Sequence, residues 1–403
     1  MARVVSAREA VALIKDSDTV VSSGFVGCGV CEELLMALER QFVETGCPRD
    51  LTLVYAAGQG DGYCRGVNHL AHEGLVKRVI GGHWNLVPKL GRFAIDGKIE
   101  AYCLPQGVTA HVYRDTAAGR PTVTRVGLQT FADPRLDGGK LNDRTTEDIV
   151  TLVEIDGRTR LNYRRFTPSV ALVRGTTADD SGNLSLEREA VTIDSLAAAQ
   201  AAHNSGGIVI AQVERLSARG LDPRRVDVPG ILVDYVVVSG VENHWQTFEV
   251  CYHPSFSGEL SVHVGEAESV AFSERKAVCR RALMEMPKNA TVNLGIGVPD
   301  AIAWIAAEEG LSNHMHLTVE SGPVGGIPAR NLSFGASRNP DAIISQQSMF
   351  DFYDGGGLDI AYLGMAQTDA EGNVNVSKCG GGGNARTLRT RTRQSDRFAE
   401  SKI

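Results

Sequence analysis

One pattern, an apolar run, a glycine turn, a helical stretch and a second apolar run, occurs twice in the same order along this 403-residue chain. That repetition limits the fold more tightly than any other feature. In the first copy Asp18-Thr-Val-Val-Ser-Ser-Gly24-Phe-Val-Gly27 precedes a helical pattern over Glu32–Glu44 and a strand-like run over Leu51–Ala56. In the second, Asn289-Ala-Thr-Val-Asn-Leu-Gly295-Ile-Gly297 precedes a helical pattern over Asp300–Glu309 and the run His316–Glu320. A further pair follows in step: Arg174-Gly-Thr-Thr-Ala-Asp-Asp-Ser-Gly182-Asn183-Leu-Ser matches Gly364-Met-Ala-Gln-Thr-Asp-Ala-Glu-Gly372-Asn373-Val-Asn. Strands that alternate with helices build a mostly parallel sheet covered on both faces. The order therefore predicts two related α/β domains in tandem, 1–265 and 266–403, with the insertions in the first, where the spacing is longer.

Other segments fit this plan. Thr19–Ser23, Val170–Val173, Gly207–Gln212 and Val233–Ser239 read as strands, Leu196–His203 as a helix, and Glu266–Met286 as a helix joining the domains. Ser6-Ala7-Arg8-Glu9 reads as a capping box opening a helix over Ala7–Lys15, not as a secretory signal. No apolar run reaches the roughly eighteen residues of a membrane span. A net charge of −7 argues against a nucleic-acid partner, which needs a basic stripe. Eight cysteines scattered through a long chain fit reduced thiols and a cytoplasmic protein. Cys28 and Cys31 form a lone C-x-x-C and read as buried thiols, since no second pair stands nearby.

Three features bear on chemistry. The turns at Gly24–Gly29 and Gly295–Gly297 stand between a strand and a helix, where free backbone N–H groups favour an anion. Neither matches the dinucleotide fingerprint, so a plain tight turn stands beside that reading. Glu320 ends a strand-like run and precedes a loop carrying Gly322, Gly325 and Gly326. Ligands of open α/β sheets bind at the carboxyl ends of strands, and little side-chain bulk would separate this carboxylate from a substrate. A salt-bridged or capping glutamate is the competing reading. Gln106, in Leu104-Pro-Gln-Gly107 after the strand-like Ile99–Cys103, presents an amide that could donate to an oxyanion, or is an ordinary turn residue.

From about residue 5 to residue 378 the chain resembles the family I coenzyme A transferases, of the single-chain acetate, propionate and 3-oxoacid type. The resemblance runs in order through Leu104–Gly107, Val173–Asn183, Val228–Asp234, Glu242–Phe248, Asn293–Gly297 and Glu320-Ser-Gly. It implies two α/β domains of the CoA-transferase (NagB/RpiA-like) type with the site in the cleft between them. It implies Glu320 as the nucleophile, Gln106 in the oxyanion hole, and Asn293 at the bound thioester. Gly295, Gly297, Gly322, Gly325 and Gly326 would line the CoA site. The implied partners are acyl-CoA and short-chain carboxylates, with no cofactor besides the CoA thioester substrate, and a homo-oligomer is expected.

After Lys378 the family pattern stops. Cys379, Gly380–Gly383 and a basic segment to Ile403 lack apolar periodicity and read as a solvated tail, as if the second domain were truncated or frameshifted. On that reading activity is weak. An acyl-CoA hydrolase, in which water intercepts the intermediate, and a catalytically dead assembly protein remain as alternatives.

Overall fold

The structure, a computed structural model, describes residues 2–263 and 271–375. The expected domain boundary near residue 265 and the tail from residue 380 lie outside these residues. In the first half the strands Arg3–Val4, Tyr235–Val238, Ile208–Leu216, Val170–Ala178, Thr19–Ser22, Leu51–Tyr55, Val76–Gly81 and Glu100–Cys103 lie side by side in that order. All these neighbours pair in parallel. A parallel sheet is covered on both faces, which is why its strands read as unbroken apolar runs. Val170–Ala178 is buried along its whole length.

Alternate residues of each strand serve opposite cores, as the two-residue strand period requires. Val20, Leu53 and Leu172 pack with Leu34, Leu35 and Leu38 of the Glu32–Thr45 helix. Val21, Val54 and Ala171 pack on the other face with Val108 and Val112 of the Gln106–Ala117 helix and Ala198 and Ala202 of the Ser195–Asn204 helix.

The second half repeats the centre of this sheet. Ala290–Leu294 lies between Met315–Thr318 and Ile360–Tyr362, parallel to both, as Thr19–Ser22 lies between Leu51–Tyr55 and Val170–Ala178. The short strands Pro323–Val324 and Ala342–Ile343 extend it antiparallel. Ile302, Ile305 and Ala306 of the Ala301–Glu308 helix cover one face with Leu283 of the Glu274–Leu283 helix.

The second sequence echo is atomic. Asp179 Oδ1 accepts the backbone N–H groups of Ser181 and Asn183, and its Oδ2 accepts Asn183 Nδ2 at 3.0 Å. Asp369 does the same for Glu371 and Asn373, with Asn373 Nδ2 at 2.8 Å. Gly182 and Gly372 take φ +83° and +85°, a left-handed turn position that glycine enters without a Cβ penalty. Each cage closes a hairpin in the same register, Thr177 opposite Ser185 and Gln367 opposite Asn375.

Several expected bounds move. The capping box at Ser6 and Glu9 is present, but its helix stops at Val11 rather than Lys15. The Val170 and Gly207 runs continue to Ala178 and Leu216, and the joining helix begins, among the described residues, at Glu274. The strand read as His316–Glu320 is Met315–Thr318, which leaves Glu320 just beyond the strand. An antiparallel sheet of Thr122–Thr124, Arg158–Tyr163 and Val150–Ile155, not expected from the sequence, fills part of the longer spacing in the first half.

Candidate active site

Asn293 lies on the strand Ala290–Leu294 and Glu320 just beyond the neighbouring parallel strand Met315–Thr318, and that register brings their side chains together. Asn293 is paired with Thr318, two residues before Glu320. Its Nδ2 donates to Glu320 Oε2 at 3.0 Å and to the Thr318 carbonyl oxygen at 3.3 Å. Asn293 is buried, whereas Glu320 is half-buried. The carboxylate therefore has one oxygen held by a buried amide while the group keeps an open side. No other hydrogen bond to the Glu320 side chain is seen among the described residues.

Tyr353, on the Gln346–Asp354 helix, completes the surroundings. Its hydroxyl donates to Thr318 Oγ1 at 2.7 Å, and its oxygen lies 3.4 Å from Asn293 Nδ2. Burial, and then the charge of Glu320, push its phenol well above the usual tyrosine range, so it stays a neutral hydroxyl. Nothing in the local sequence marks Tyr353; it comes to this place through packing alone.

Gln106 is the first residue of the Gln106–Ala117 helix, three residues past the end of the Glu100–Cys103 strand. Gly82, at the end of the neighbouring strand, lets the backbone of Gln106 approach closely: a Cβ there would lie 3.2 Å from Gln106 Cα. The Gln106 Nε2 is buried and has no hydrogen-bond partner among the described residues. A buried amide donor without an acceptor is costly, and an oxyanion would satisfy it.

The two halves meet around Glu320. Val319 packs in one cluster with Phe25, Val26 and Ala57 of the first half and with Phe334 and Ala336 of the second. Ser321 donates to the Gly335 carbonyl oxygen at 2.6 Å, and the Phe25 and Phe334 rings stand 5.7 Å apart.

The N–H groups of Gly295 and Gly297, expected to be free for an anion, are engaged within the protein, as are those of Gly322 and Gly325. The N–H of Gly295 donates to Tyr362 O, that of Gly322 to Val319 O and that of Gly325 to Leu317 O. That of Gly297 donates to Asp300 Oδ2. The turn reading accounts for Gly295 and Gly297 better than the anion reading does. Gly326 likewise serves packing: a Cβ there would run into the Arg338 backbone.

Behind the first glycine loop lies a buried ionic knot. Arg174 Nε and Nη2 meet Glu189 Oε1 and Oε2 at 3.1 and 3.0 Å. Arg174 Nη1 donates to Val30 O, and His244 Nε2 lies 3.2 Å from Glu189 Oε1. Thus the Val173–Asn183 and Glu242–Phe248 blocks, far apart in sequence, clamp the loop from below. Cys28 and Cys31 are fully buried, and burial pushes both thiols up to about 12, which makes them inert. Asp194 is buried as well; Ser23 Oγ donates to its Oδ1 at 2.6 Å, its Oδ2 has no partner, and burial pushes its carboxyl up to about 7.

Two mostly parallel α/β sheets, with a carboxylate held by a buried amide just past a strand end and a glutamine whose Nε2 is buried and unpartnered, suit group transfer, and comparison gives the family. Residues 4–239 match the family "Coenzyme A transferase". The chain is 46% identical over 381 residues to the caffeate CoA-transferase of Acetobacterium woodii, covering 94% of this chain and 73% of that one. It is 42% identical over 383 residues to the acetate CoA-transferase YdiF of Escherichia coli K12, covering 94% and 72%. The crystal structure of the E. coli O157:H7 acyl-CoA transferase YdiF in a thioester complex with CoA superposes with a TM-score of 0.89 at 39% identity, covering 98% and 74%. The chain belongs to the coenzyme A transferase family and is a CoA-transferase. Among its described residues no helix is long and apolar enough to cross a membrane.

Proposed function

We propose that this chain exchanges CoA between short-chain acyl-CoA thioesters and free carboxylates, with Glu320 as the covalent carrier. The Glu320 carboxylate attacks the thioester carbonyl; the C–S bond breaks, CoA thiolate leaves, and a mixed anhydride forms. The thiolate then attacks the Glu320 carbonyl, releasing the first acid as its carboxylate and leaving a glutamyl-CoA thioester. A second carboxylate reverses both steps and departs as its CoA ester. The thioester energy is conserved throughout, so the exchange requires neither a metal nor a nicotinamide. Splitting one hard displacement into easier ones is the gain of covalent catalysis.

The observation that carries this reading is the Asn293 amide seated on Glu320 Oε2 at 3.0 Å. It orients a half-buried carboxylate without neutralising it and stands ready at the oxygen on which charge develops. The unpartnered Gln106 amide supports a second oxyanion donor. Acetate is the acid in the name of one relative and caffeate in that of another. We place this chain with the short-chain acids, as a cytoplasmic homo-oligomer with domains 1–265 and 266–403.

Isotope exchange tests the proposal. Acetyl-CoA and labelled acetate, with no second acid, should exchange label, and initial rates with propionate as acceptor should give parallel double-reciprocal lines. Gln106→Ala should lower the exchange rate by about 100- to 1,000-fold. Intersecting lines, or exchange that requires both acids at once, would contradict a covalent carrier.

A further inference from the structure

The geometry points to Tyr353 as a positioning residue for the nucleophile, and to its helix as the strut that sets Gln106 against Glu320; this rests on Glu320 being the carrier. Asn293 Nδ2 has two hydrogens and three acceptors within reach: Glu320 Oε2 at 3.0 Å, Thr318 O at 3.3 Å and Tyr353 Oη at 3.4 Å. Which acceptors it uses depends on the direction of the hydroxyl chain beside it. Thr318 Oγ1 donates to Val292 O at 3.1 Å, so its lone pairs are left for Tyr353, which donates to it at 2.7 Å. The Tyr353 hydrogen is thereby fixed, and the hydroxyl turns a lone pair, not a proton, toward Asn293. One amide hydrogen is anchored between Tyr353 and the Thr318 carbonyl, and the other is kept on Glu320.

Such an anchor matters because an asparagine amide rotates in a broad torsional well. Glu320 passes through a carboxylate, an anhydride and a thioester, and an unanchored amide would follow the oxygen instead of waiting where charge develops. Preorganised donors gain their advantage by needing no reorganisation at that moment.

The same helix reaches the first half. Residues three and four apart share a helix face. One turn before Tyr353, the Phe350 ring lies against Gly107, where an added Cβ would come within 2.5 Å of it. His111 Nε2 lies 3.3 Å from the Gln347 carbonyl oxygen, and Arg114 Nη1 donates to Asp351 Oδ2 at 2.6 Å. Gly107, His111 and Arg114 all belong to the helix that Gln106 begins. A single helix of nine residues thus holds the nucleophile's amide at one end and packs along the helix of the oxyanion donor.

The test uses Tyr353→Phe, which keeps the ring, together with Thr318→Val and Thr318→Ser. The readouts are the single-turnover rate of CoA attachment to the Glu320 peptide from acetyl-CoA, KM for acetyl-CoA, and thermal unfolding. Tyr353→Phe should slow attachment roughly tenfold, about 1.4 kcal/mol, with KM within about twofold. Thr318→Val should do the same and Thr318→Ser should restore the rate. The Tyr353→Phe/Thr318→Val double variant should be no slower than either single one, because both act through one path. Attachment at the wild-type rate in Tyr353→Phe, or additive losses in the double variant, would overturn the positioning role and leave Glu320 as carrier untouched. Failure of the wild-type protein to attach CoA at Glu320 would overturn both.

Discussion

Glu189→Gln should destabilise the first half more than any single change on its surface. The Arg174 and Glu189 side chains are each 3% exposed and meet through two contacts, at 3.1 and 3.0 Å. Removing the negative charge strands a buried guanidinium on the Val30 and His244 carbonyl oxygens, at 3.2 and 3.4 Å. Breaking a buried pair from one side costs ~3–5 kcal/mol, and at ~2–4 °C per kcal/mol the first-half unfolding transition should fall by roughly 6–20 °C. Replacing both partners with apolar residues, Arg174→Met with Glu189→Leu, should recover most of the loss, since no orphan charge remains. Calorimetry on the single and double variants reads both outcomes.

A pH arm follows with a fixed sign. Burial works against the ionised form of Glu189, yet Arg174 and then His244 outweigh it and bring the carboxyl from 4.5 down to about 2. A depressed carboxyl contributes stability that is complete above its unfolded value and lost as pH falls toward the folded one. The gap between wild type and Glu189→Gln should therefore be full above about pH 5 and close toward pH 2. A Glu189→Gln protein within ~0.5 kcal/mol of wild type near neutral pH, or a double variant no better than the single, would refute the reasoning.

Asp194 carries the opposite sign: burial raises its carboxyl from 3.8 to about 7, so its contribution is full at low pH and is lost as pH rises through about 7. Asp194→Asn should unfold at a higher temperature than wild type above about pH 7, and the wild-type decline between about pH 4 and pH 7 should flatten, as scanning calorimetry across that range would show. Asn293→Ala removes the amide from Glu320, and a hydrogen bond to a charged group is worth ~1.5–3 kcal/mol, so kcat should fall roughly 10- to 150-fold. Steady-state kinetics alongside a melting curve separates that loss from unfolding.

Much of this architecture is legible in the residues, for identifiable reasons. The Asp-x-x-Gly-Asn pattern forms its cage from contacts within five residues, so both copies, at Asp179 and Asp369, announce themselves locally. The apolar runs mark a parallel sheet because each strand feeds two cores. Glu320 stands out because a strand's carboxyl end is where an open sheet binds ligands, whereas Asn293 is reached only through the family resemblance. What escaped depends on distant partners. The Gly295 donor looks free in sequence, but its acceptor, Tyr362 O, arrives from another strand. Tyr353 and the ionic knot of Arg174, Glu189 and His244 are likewise products of tertiary packing. Strand ends also shift: Glu320 continues a β-like pattern, yet the chain turns after Thr318, where Gly322 at φ +132° closes against Ile344.

The most direct test is covalent. The purified protein is incubated with acetyl-CoA without an acceptor acid, and its intact and peptide masses are measured. A CoA adduct confined to the peptide carrying Glu320, and absent from Glu320→Ala, is the predicted result. A folded wild-type protein that carries no adduct while still transferring CoA, or an adduct on any other residue, would contradict Glu320 as the carrier.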